Sequence, residues 1–320
     1  MTEFGYWLSS EEHPPLDLVR DARRAEDAGF EFAMVSDHFH PWIDAQGHSP
    51  FVWAVIGGIA ATTERIRLGT GVTCPTIRIH PAILAQAAAT AAAMLKGRFF
   101  FGLGSGENLN EHVTGARWPA PDERLELLEE AIEVLRLLWH GGEQTHRGKH
   151  YTVDHARLYT LPDEPIPIAV AAARPLAAEL AGRLGDALVN TVPDPEIVKR
   201  YHSAGGAGPR YGQVQLCWAE DEQEARETVF RLWRHSGLGG TVNQELPRPS
   251  DFEAAAETVT IEQATEHAPC GPDPDAVVEA VRTWEAAGFD HIALHQVGPD
   301  QDGFFRFWER ELRPRLAPTR

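Results

Sequence analysis

Short apolar runs alternate with amphipathic segments along the whole chain. The runs predict eight strands, at residues 4–8, 32–36, 66–70, 99–103, 166–171, 187–191, 213–218 and 292–294. Between them, apolar residues recur at spacings of three and four, as at Leu125, Leu128 and Ile132, which predicts helices. Gly29 and Gly288 stand where glycine commonly ends a helix. Strands that alternate with helices form parallel sheets with right-handed crossovers.

Eight strand–helix units in 320 residues fit an α/β fold of the TIM (β/α)8 barrel type with insertions. A doubly wound open sheet is the structural alternative. Two stretches depart from the alternation: residues 141–161 contain a predicted hairpin (145–150 and 151–159), and residues 237–271 are poorly periodic. We interpret both as insertions, and we expect a single domain over residues 1–320.

Polar clusters directly follow two of the predicted strands, at 36–42 (Ser-Asp-His-Phe-His-Pro-Trp) and 104–112 (Gly-Ser-Gly-Glu-Asn-Leu-Asn-Glu-His). The carboxyl ends of barrel strands share one face, so we expect the two clusters to meet there. His38 could act as a general base, with Asp37 orienting its ring and Trp42 forming a wall. The alternative is a loop histidine hydrogen-bonded to the backbone.

The second cluster contains a carboxyl group beside glycines. Gly104 and Gly106 permit tight turns and a close approach of a ligand. A partly desolvated carboxyl at the end of a strand, such as that of Glu107, could hold a proton and act as a general acid. Alternatively, Glu107 and Asn108 only mark the beginning of a helix, where acidic and amide side chains are favoured.

Two further strand ends are candidates for ligand contacts. Gly71 follows strand three and allows unusual backbone geometry, such as a bulge or a cis peptide, although an ordinary turn fits equally well. After strand five, Ala172, Ala173 and Arg174 precede a helix. The amide groups at that helix start, together with Arg174, could bind a phosphate, unless Arg174 is simply solvated.

His38 and His40 also form a His-x-His pair. On extended backbone both rings could face one metal ion, as in metal-dependent hydrolases. No later strand end supplies an obvious set of further ligands; His291 and His295 lie four residues apart around strand eight. We therefore predict no metal site and keep metal-dependent hydrolysis as a minor alternative.

The composition of the chain argues against nucleic acid and membranes as binding partners. The formal net charge is -18, which argues against nucleic-acid binding. There is no apolar stretch near the length of a membrane span (about 18 residues) and no basic-then-apolar start typical of a secretory signal. Three scattered cysteines, Cys74, Cys217 and Cys270, indicate neither a disulfide framework nor a zinc site, so we expect a reducing cytoplasm.

Taken together, the motifs resemble a known family. Segments 36–42, 69–76 (Gly-Thr-Gly-Val-Thr-Cys-Pro-Thr) and 104–111, with 79–82 and 180–186, are similar to the bacterial luciferase-like oxidoreductases, in particular to the branch of F420-dependent glucose-6-phosphate dehydrogenase. The resemblance implies a TIM barrel, commonly a homodimer, that uses the deazaflavin coenzyme F420 on a small-molecule substrate. The same barrel also hosts FMN-dependent monooxygenases, and FMN is the alternative cofactor.

The resemblance also implies roles for individual residues. His38 would take the proton of a substrate hydroxyl while hydride passes to C5 of the deazaflavin, Glu107 would protonate the reduced ring at N1, and Trp42 would stabilise the charged intermediate. A cis peptide is expected between Gly71 and Val72. The predicted cofactor-binding residues are Asp37, Gly71, Val72, Cys74, Gly106, Asn110, Ala172, Ala173 and Arg174.

Several positions depart from the sugar-phosphate branch. Its lysines after strand six and in the second insertion are absent: the chain reads Val-Pro-Asp-Pro at 192–195 and Gln-Ala-Thr-Glu-His at 263–267. Cys74 stands where those enzymes usually have threonine. Acidic residues repel a phosphate, so we expect a secondary alcohol, or a ketone or activated alkene in the reverse direction, rather than glucose 6-phosphate. A non-catalytic ligand-binding barrel is a further alternative.

Overall fold

A computed structural model describes residues 1–316 of the chain. The strands are β1 (Glu3–Leu8), β2 (Phe32–Val35), β3 (Arg67–Thr70), β4 (Phe99–Leu103), β5 (Gln144–Arg147), β6 (Thr152–Ala156), β7 (Ile168–Ala171), β8 (Ala187–Asn190), β9 (Arg210–Leu216) and β10 (His291–Gln296). None of the helices in this part of the chain is long and apolar enough to cross a membrane.

The helices fall between the strands and within two insertions. They are α1 (Pro15–Asp27), α2 (Val52–Thr62), α3 (Pro81–Leu95), α4 (Asn108–Glu111), α5 (Pro121–Trp139), α6 (Pro175–Leu184), α7 (Pro195–Ser203), α8 (Glu222–Trp233), α9 (Val242–Glu245), α10 (Pro249–Ala255), α11 (Ile261–Thr265), α12 (Pro274–Ala286), α13 (Gln301–Phe307) and α14 (Arg313–Leu316). Single 3-10 turns cover Asp44–Gln46, His112–Thr114 and Arg234–Gly237, and a π-helical turn at Trp308–Leu312 joins the last two helices.

Eight parallel strands close into a barrel in the order β1-β10-β9-β8-β7-β4-β3-β2. The predicted (β/α)8 barrel is therefore confirmed, and the open sheet is excluded because β1 pairs with both β2 and β10. Every predicted barrel strand is present, with small differences at the ends. For example, β9 begins at Arg210, before the predicted 213, because Tyr211 already points into the barrel lumen.

Alternate residues of the strands fill two different cores. Those that face outward pack against the helices, whereas those that face inward fill the lumen with bulky rings. Phe100 stacks on Tyr211 with ring centroids 4.8 Å apart, and Phe32 meets Tyr211 edge to face at 5.2 Å. This plug fills the lumen, so a ligand cannot occupy the inside of the barrel, and in barrels of this type the carboxyl ends of the strands form the reactive face.

Two stretches between barrel elements contain secondary structure of their own, and we refer to them as the first and the second insertion. The first contains the antiparallel hairpin β5–β6, which is shorter than predicted. Its backbone is held by Glu130, whose carboxylate accepts hydrogen bonds from the amides of His150 and Tyr151. The second insertion contains the short helices α9, α10 and α11, which the sequence did not reveal because helices of four to seven residues show too few periodic positions.

Candidate active site

The two polar clusters predicted from the strand ends meet at one face of the barrel. The side-chain oxygen of Asn110 accepts hydrogen bonds from the amides of Phe39 (2.9 Å) and His40 (3.3 Å). The amide nitrogen of the same side chain donates to Glu107 Oε2 over 3.4 Å. Asn110 therefore connects the carboxyl group of Glu107 to the backbone that carries His38.

The ring of His38 is held on three sides. Nδ1 lies 3.1 Å from the carbonyl oxygen of His40, Nε2 lies 3.3 Å from Glu11 Oε1, and the ring centroid is 4.9 Å from that of Trp42. Because a carbonyl oxygen only accepts, Nδ1 carries a hydrogen in this arrangement. Nε2 is then the ring nitrogen that can take up a further proton, and the carboxylate of Glu11 lies 3.3 Å away, where it can stabilise the positive charge that forms.

Glu11 is a functional candidate that the sequence analysis missed. Only 2% of the surface of Glu11 is exposed to solvent. Its Oε2 accepts hydrogen bonds from the hydroxyl groups of Ser36 (2.6 Å) and Ser9 (3.0 Å). These donors hold the carboxylate in place while Oε1 faces His38. The signal was present, because Ser-Ser-Glu-Glu-His at 9–13 is also a polar cluster directly after a buried strand.

Asp37 does not take the orienting role that the sequence analysis gave it. Its side chain is fully buried, accepting from the hydroxyl of Thr73 (2.8 Å) and from Arg78 (2.7 Å). The ring of His38 faces Glu11 instead. The reason is the extended backbone after β2, on which adjacent side chains point to opposite sides. Contact between Asp37 and a cofactor stays a prediction.

Arg78 links Asp37 to a second buried acid, Glu111. Glu111 Oε2 accepts from the backbone amide of Arg78 over 2.7 Å, and Oε1 lies 3.6 Å from Arg78 Nε. Burial raises the pKa of Glu111 to about 7, although the nearby guanidinium opposes the shift. This triad joins the loops after β2, β3 and β4, and it was not predicted because its members come from three separate segments.

The loops after β3 and β4 pack tightly against each other. The Gly71–Val72 peptide is cis, as expected. Gly106 has φ +82°, and a Cβ there would lie 2.5 Å from Cys74 Sγ, so only glycine allows this approach. The Cys74 thiol lies 3.0 Å from the hydroxyl of Thr76, and burial raises its pKa well above the ordinary value. The Cys74 thiol is therefore neutral, and its contact with a cofactor stays a prediction.

The end of β7 offers a different chemistry. Ala172 is buried, whereas Ala173 and Arg174 are exposed. Arg174 precedes the ten-residue helix α6, and no side chain caps the first amides of that helix. Free amides at a helix N-terminus beside an arginine suit an anionic group. Val72, just after β3, and Ala171, at the end of β7, are both half-buried and offer an apolar surface.

The second insertion supplies an aromatic wall that the sequence did not reveal. Trp42 stacks on His235 with ring centroids 5.2 Å apart and 20° between planes, and it meets Phe252 edge to face at 5.3 Å. Burial lowers the pKa of His235 to about 3, so its ring is neutral. The site is thus bounded by the base on one side and by uncharged rings on the other.

The His-x-His pair does not form a shared site for a metal. His40 Nδ1 lies 2.9 Å from the carbonyl oxygen of Leu109, while the ring of His38 lies between Glu11 and the carbonyl of His40. The two rings therefore have separate partners. Within residues 1–316, there is no group of three or more His, Cys, Asp or Glu side chains placed to hold a metal ion.

Comparison with known proteins agrees with this geometry. The family model of luciferase-like monooxygenases matches residues 1–291. F420-dependent glucose-6-phosphate dehydrogenases of Nocardia farcinica and Nakamurella multipartita are 36% and 34% identical; 98% of this chain aligns with 98% and 96% of theirs, respectively. An F420-dependent secondary alcohol dehydrogenase, solved in complex with an F420-acetone adduct, superposes with a TM-score of 0.91 at 29% identity over 99% of both chains.

A more distant structure, a coenzyme F420-dependent tetrahydromethanopterin reductase from Methanopyrus kandleri, has a TM-score of 0.79 at 21% identity, over 98% of this chain and 99% of its own. This likeness shows the shared barrel fold. The match of the family model, the long alignments with the dehydrogenases and the closed barrel agree with the motifs. The chain belongs to the luciferase-like monooxygenase family.

Proposed function

We propose that this protein is an F420-dependent oxidoreductase that transfers a hydride between the carbon of a secondary alcohol and C5 of the deazaflavin, in either direction. Its relatives at 34–36% identity are F420-dependent dehydrogenases, and its structural neighbour at 29% identity is an F420-dependent secondary alcohol dehydrogenase. The observation that carries the proposal is the buried pair of His38 Nε2 and Glu11 Oε1, 3.3 Å apart at the carboxyl face of the barrel.

The residues of this chain account for the proton that alcohol oxidation releases. A substrate hydroxyl donates to Nε2 of His38, whose Nδ1 hydrogen already points to a carbonyl. The imidazolium that results is stabilised by the carboxylate of Glu11, which is itself fixed by two serine hydroxyls. Trp42 holds the ring from the side and excludes water. Glu107, connected through Asn110, supplies a second carboxyl group at the same face.

The described residues fit the coenzyme that the relatives use. Apolar surface at Val72 and Ala171 suits one face of a flat ring, and the uncapped start of α6 beside Arg174 suits the phosphate of its tail. Asp37, Gly71, Cys74, Gly106, Asn110, Ala172 and Ala173 complete the proposed binding surface. When bound, the deazaflavin supplies the carbon that accepts or returns the hydride.

We propose an uncharged substrate rather than a sugar phosphate. The three lysines, Lys96, Lys149 and Lys199, lie at the end of α3, in the hairpin loop and on α7, and the last two pair with glutamates on the outer surface. The wall next to His38 consists of Trp42, Phe252 and a neutral histidine. A phosphate beside Glu11 would be repelled by its carboxylate.

The experiment that tests the proposal is incubation with oxidised F420 and a panel of secondary alcohols, with glucose 6-phosphate included, while the visible band of the coenzyme is followed. We expect the band to bleach with at least one alcohol and to persist with glucose 6-phosphate. A protein that purifies with FMN, identified by its absorbance and mass, and that leaves the F420 band unchanged would contradict the proposal.

We further propose that the protein is a homodimer built on α2 and α3. These adjacent helices contain no charged residue over Val52–Thr62 and Pro81–Leu95, although 24% of the chain is charged. Their outer faces expose Ala61, Ile83 and Met94. An uncharged surface of small and apolar residues suits a second copy of itself. Sedimentation should show a dimer that Ala61→Glu dissociates; a monomeric wild type would contradict this proposal.

We also propose that the barrel and its insertions act as one domain in the cytoplasm. Trp42, from the loop after β2, packs on Phe252 of the second insertion, which joins the insertion to the barrel.

Cys74, Cys217 and Cys270 are free thiols, as is usual in a reducing compartment. A single unfolding transition and a cytosolic signal from a tagged copy would support the two points.

A further inference from the structure

Two adjacent glutamates follow β1, and their carboxylates face different partners. Glu11 faces His38, whereas the side chain of Glu12, 3% exposed, points away from it. Glu12 Oε1 accepts from the indole N–H of Trp233 over 2.7 Å and lies 3.1 Å from His295 Nε2. Its Oε2 accepts from the amide of Gly298 over 2.7 Å. Both oxygens are therefore used by protein donors.

These three partners keep a buried carboxylate charged. Burial alone raises its pKa, but the hydrogen bonds from His295 and Gly298 leave the pKa of Glu12 below its ordinary value. Hydrogen bonds to an ionised acceptor are the stronger ones. Glu12 is consequently a firm attachment point for Trp233, which is the last residue of α8 and leads into the second insertion.

A line of rings leads from Trp233 back to the proposed base. The ring centroids of Trp233 and His235 are 5.1 Å apart, those of His235 and Trp42 are 5.2 Å apart, and those of Trp42 and His38 are 4.9 Å apart. His38 contacts Glu11, and Glu11 is the chain neighbour of Glu12. The contacts thus form a closed series that begins at Glu12 and returns to its chain neighbour Glu11.

We propose that Glu12 is a positioning residue of the proposed dehydrogenase: it holds Trp233 and, through the ring of His235, keeps Trp42 against His38. This inference rests on the proposed function. A displacement of about 1 Å at a reacting group can cost a large part of the rate. Trp233 ends α8 and His235 lies in the turn that follows it, so one carboxylate fixes both the wall and, through Trp42, the loop of the base.

The test compares Glu12→Ala and Glu12→Gln with the matched control Glu26→Gln. Glu26 is also a buried carboxylate that accepts several backbone amides, but it lies beside the start of β3 at the opposite end of the barrel. We expect both Glu12 variants to lower kcat about tenfold or more and to leave the Kd of F420 within about twofold. Glu26→Gln should lower thermal stability and leave kcat unchanged.

A second readout needs no coenzyme. Hydrogen–deuterium exchange of the coenzyme-free protein should become faster over residues 234–246 in the Glu12 variants, while the barrel strands and the Glu26→Gln protein keep their rates. This measurement also separates two failures. If the wild type shows no F420 turnover, the proposed function fails, and the exchange pattern still decides whether Glu12 holds the second insertion.

The path through Trp233 is tested by a double-mutant cycle. Trp233→Phe keeps an aromatic ring, although a smaller one, and removes the indole N–H, so the double variant Glu12→Gln/Trp233→Phe should be no slower than Glu12→Gln alone. The inference is overturned if both Glu12 variants keep wild-type kcat and exchange, if their losses equal those of Glu26→Gln, or if the two substitutions have additive effects. Should Glu12→Ala fail to fold, the Glu12→Gln variant and the cycle decide.

Discussion

Asp37 and His38 are neighbours in the chain, yet they belong to clusters of opposite character. Asp37 is joined to Arg78 and Thr73 and, through Arg78, lies near Glu111; its side chain has no exposed surface. His38 pairs with Glu11 over a longer 3.3 Å contact and keeps 10% of its side chain exposed. The first cluster, the Asp37 triad of Asp37, Arg78 and Glu111, consists of buried charged groups that face one another. The second, the His38 pair, can still exchange a proton.

The difference shows that adjacent residues at the end of one strand can have different roles: one stabilises the surrounding loops and the next is the proposed base. Extended backbone turns consecutive side chains to opposite sides, so one residue reaches the neighbouring loops while the next reaches the open face. Buried charges that are paired from several segments hold those segments together, but they are costly to leave unpaired. A base, by contrast, needs a partner that stabilises its protonated form but leaves it free to gain and release the proton.

Removing the base should have the largest effect. His38→Ala is expected to lower F420-dependent turnover by about 10³-fold, because the substrate proton loses its acceptor, and to leave F420 affinity nearly intact. Steady-state kinetics and a coenzyme titration measure the two quantities. His140→Ala, which removes a histidine on the outer surface at the end of α5, is the matched control. Unchanged turnover in His38→Ala would rule out the role.

Breaking the Asp37 triad should affect stability instead. Arg78→Met leaves Asp37 and Glu111 buried without their cation, and we expect the free energy of unfolding to fall by about 3–5 kcal/mol. The control is Arg136→Met, which breaks a surface pair with Asp186 and should cost less than about 1 kcal/mol. Urea denaturation measures both. Equal losses in the two variants would show that the triad is not a support.

The partner of the base can be changed without changing its shape. Glu11→Gln keeps the size of the side chain and removes the negative charge that stabilises the protonated ring of His38. We expect turnover to fall about 10²-fold with little change in F420 affinity. The pH–rate profile should lose its dependence on this pair. A pH–rate profile identical to that of the wild type would show that a group other than the pair of His38 and Glu11 accepts the substrate proton.

The smallest expected effect is the contribution of Glu111 to the pH dependence of folding stability. Its pKa, raised to about 7 by burial, exceeds the unfolded value, so between about pH 4.5 and 7 the folded state binds more protons. Stability therefore falls as the pH rises through this window, by about 2–3 kcal/mol from this group. Glu111→Gln should remove that part of the slope. Parallel wild-type and variant curves of Tm between pH 5 and 8 would contradict the assignment.

Part of the site could be predicted because its signals are local. A polar cluster directly after an apolar run marked His38, Trp42 and Glu107, and the barrel rule placed them at one face. The same signal stood at Ser9 to His13, so Glu11 could have been found by applying the rule to every strand. Arg78 had no such signal, since it does not follow a strand directly. Glu111 lies in the second polar cluster, but its role is explained only by its pairing with Arg78.

The order of strands and helices was determined by the sequence itself, because periodicities of two and 3.6 residues are properties of neighbouring positions. The closed barrel then decided which polar groups touch. Ser36 reaches Glu11 across 25 residues and Arg78 reaches Asp37 across 41, and the turn after α8 brings His235 onto Trp42. Such contacts depend on how loops from different strands fold over one face. Their chemistry, a base paired with a carboxylate behind an uncharged wall, exists only once the strands have closed.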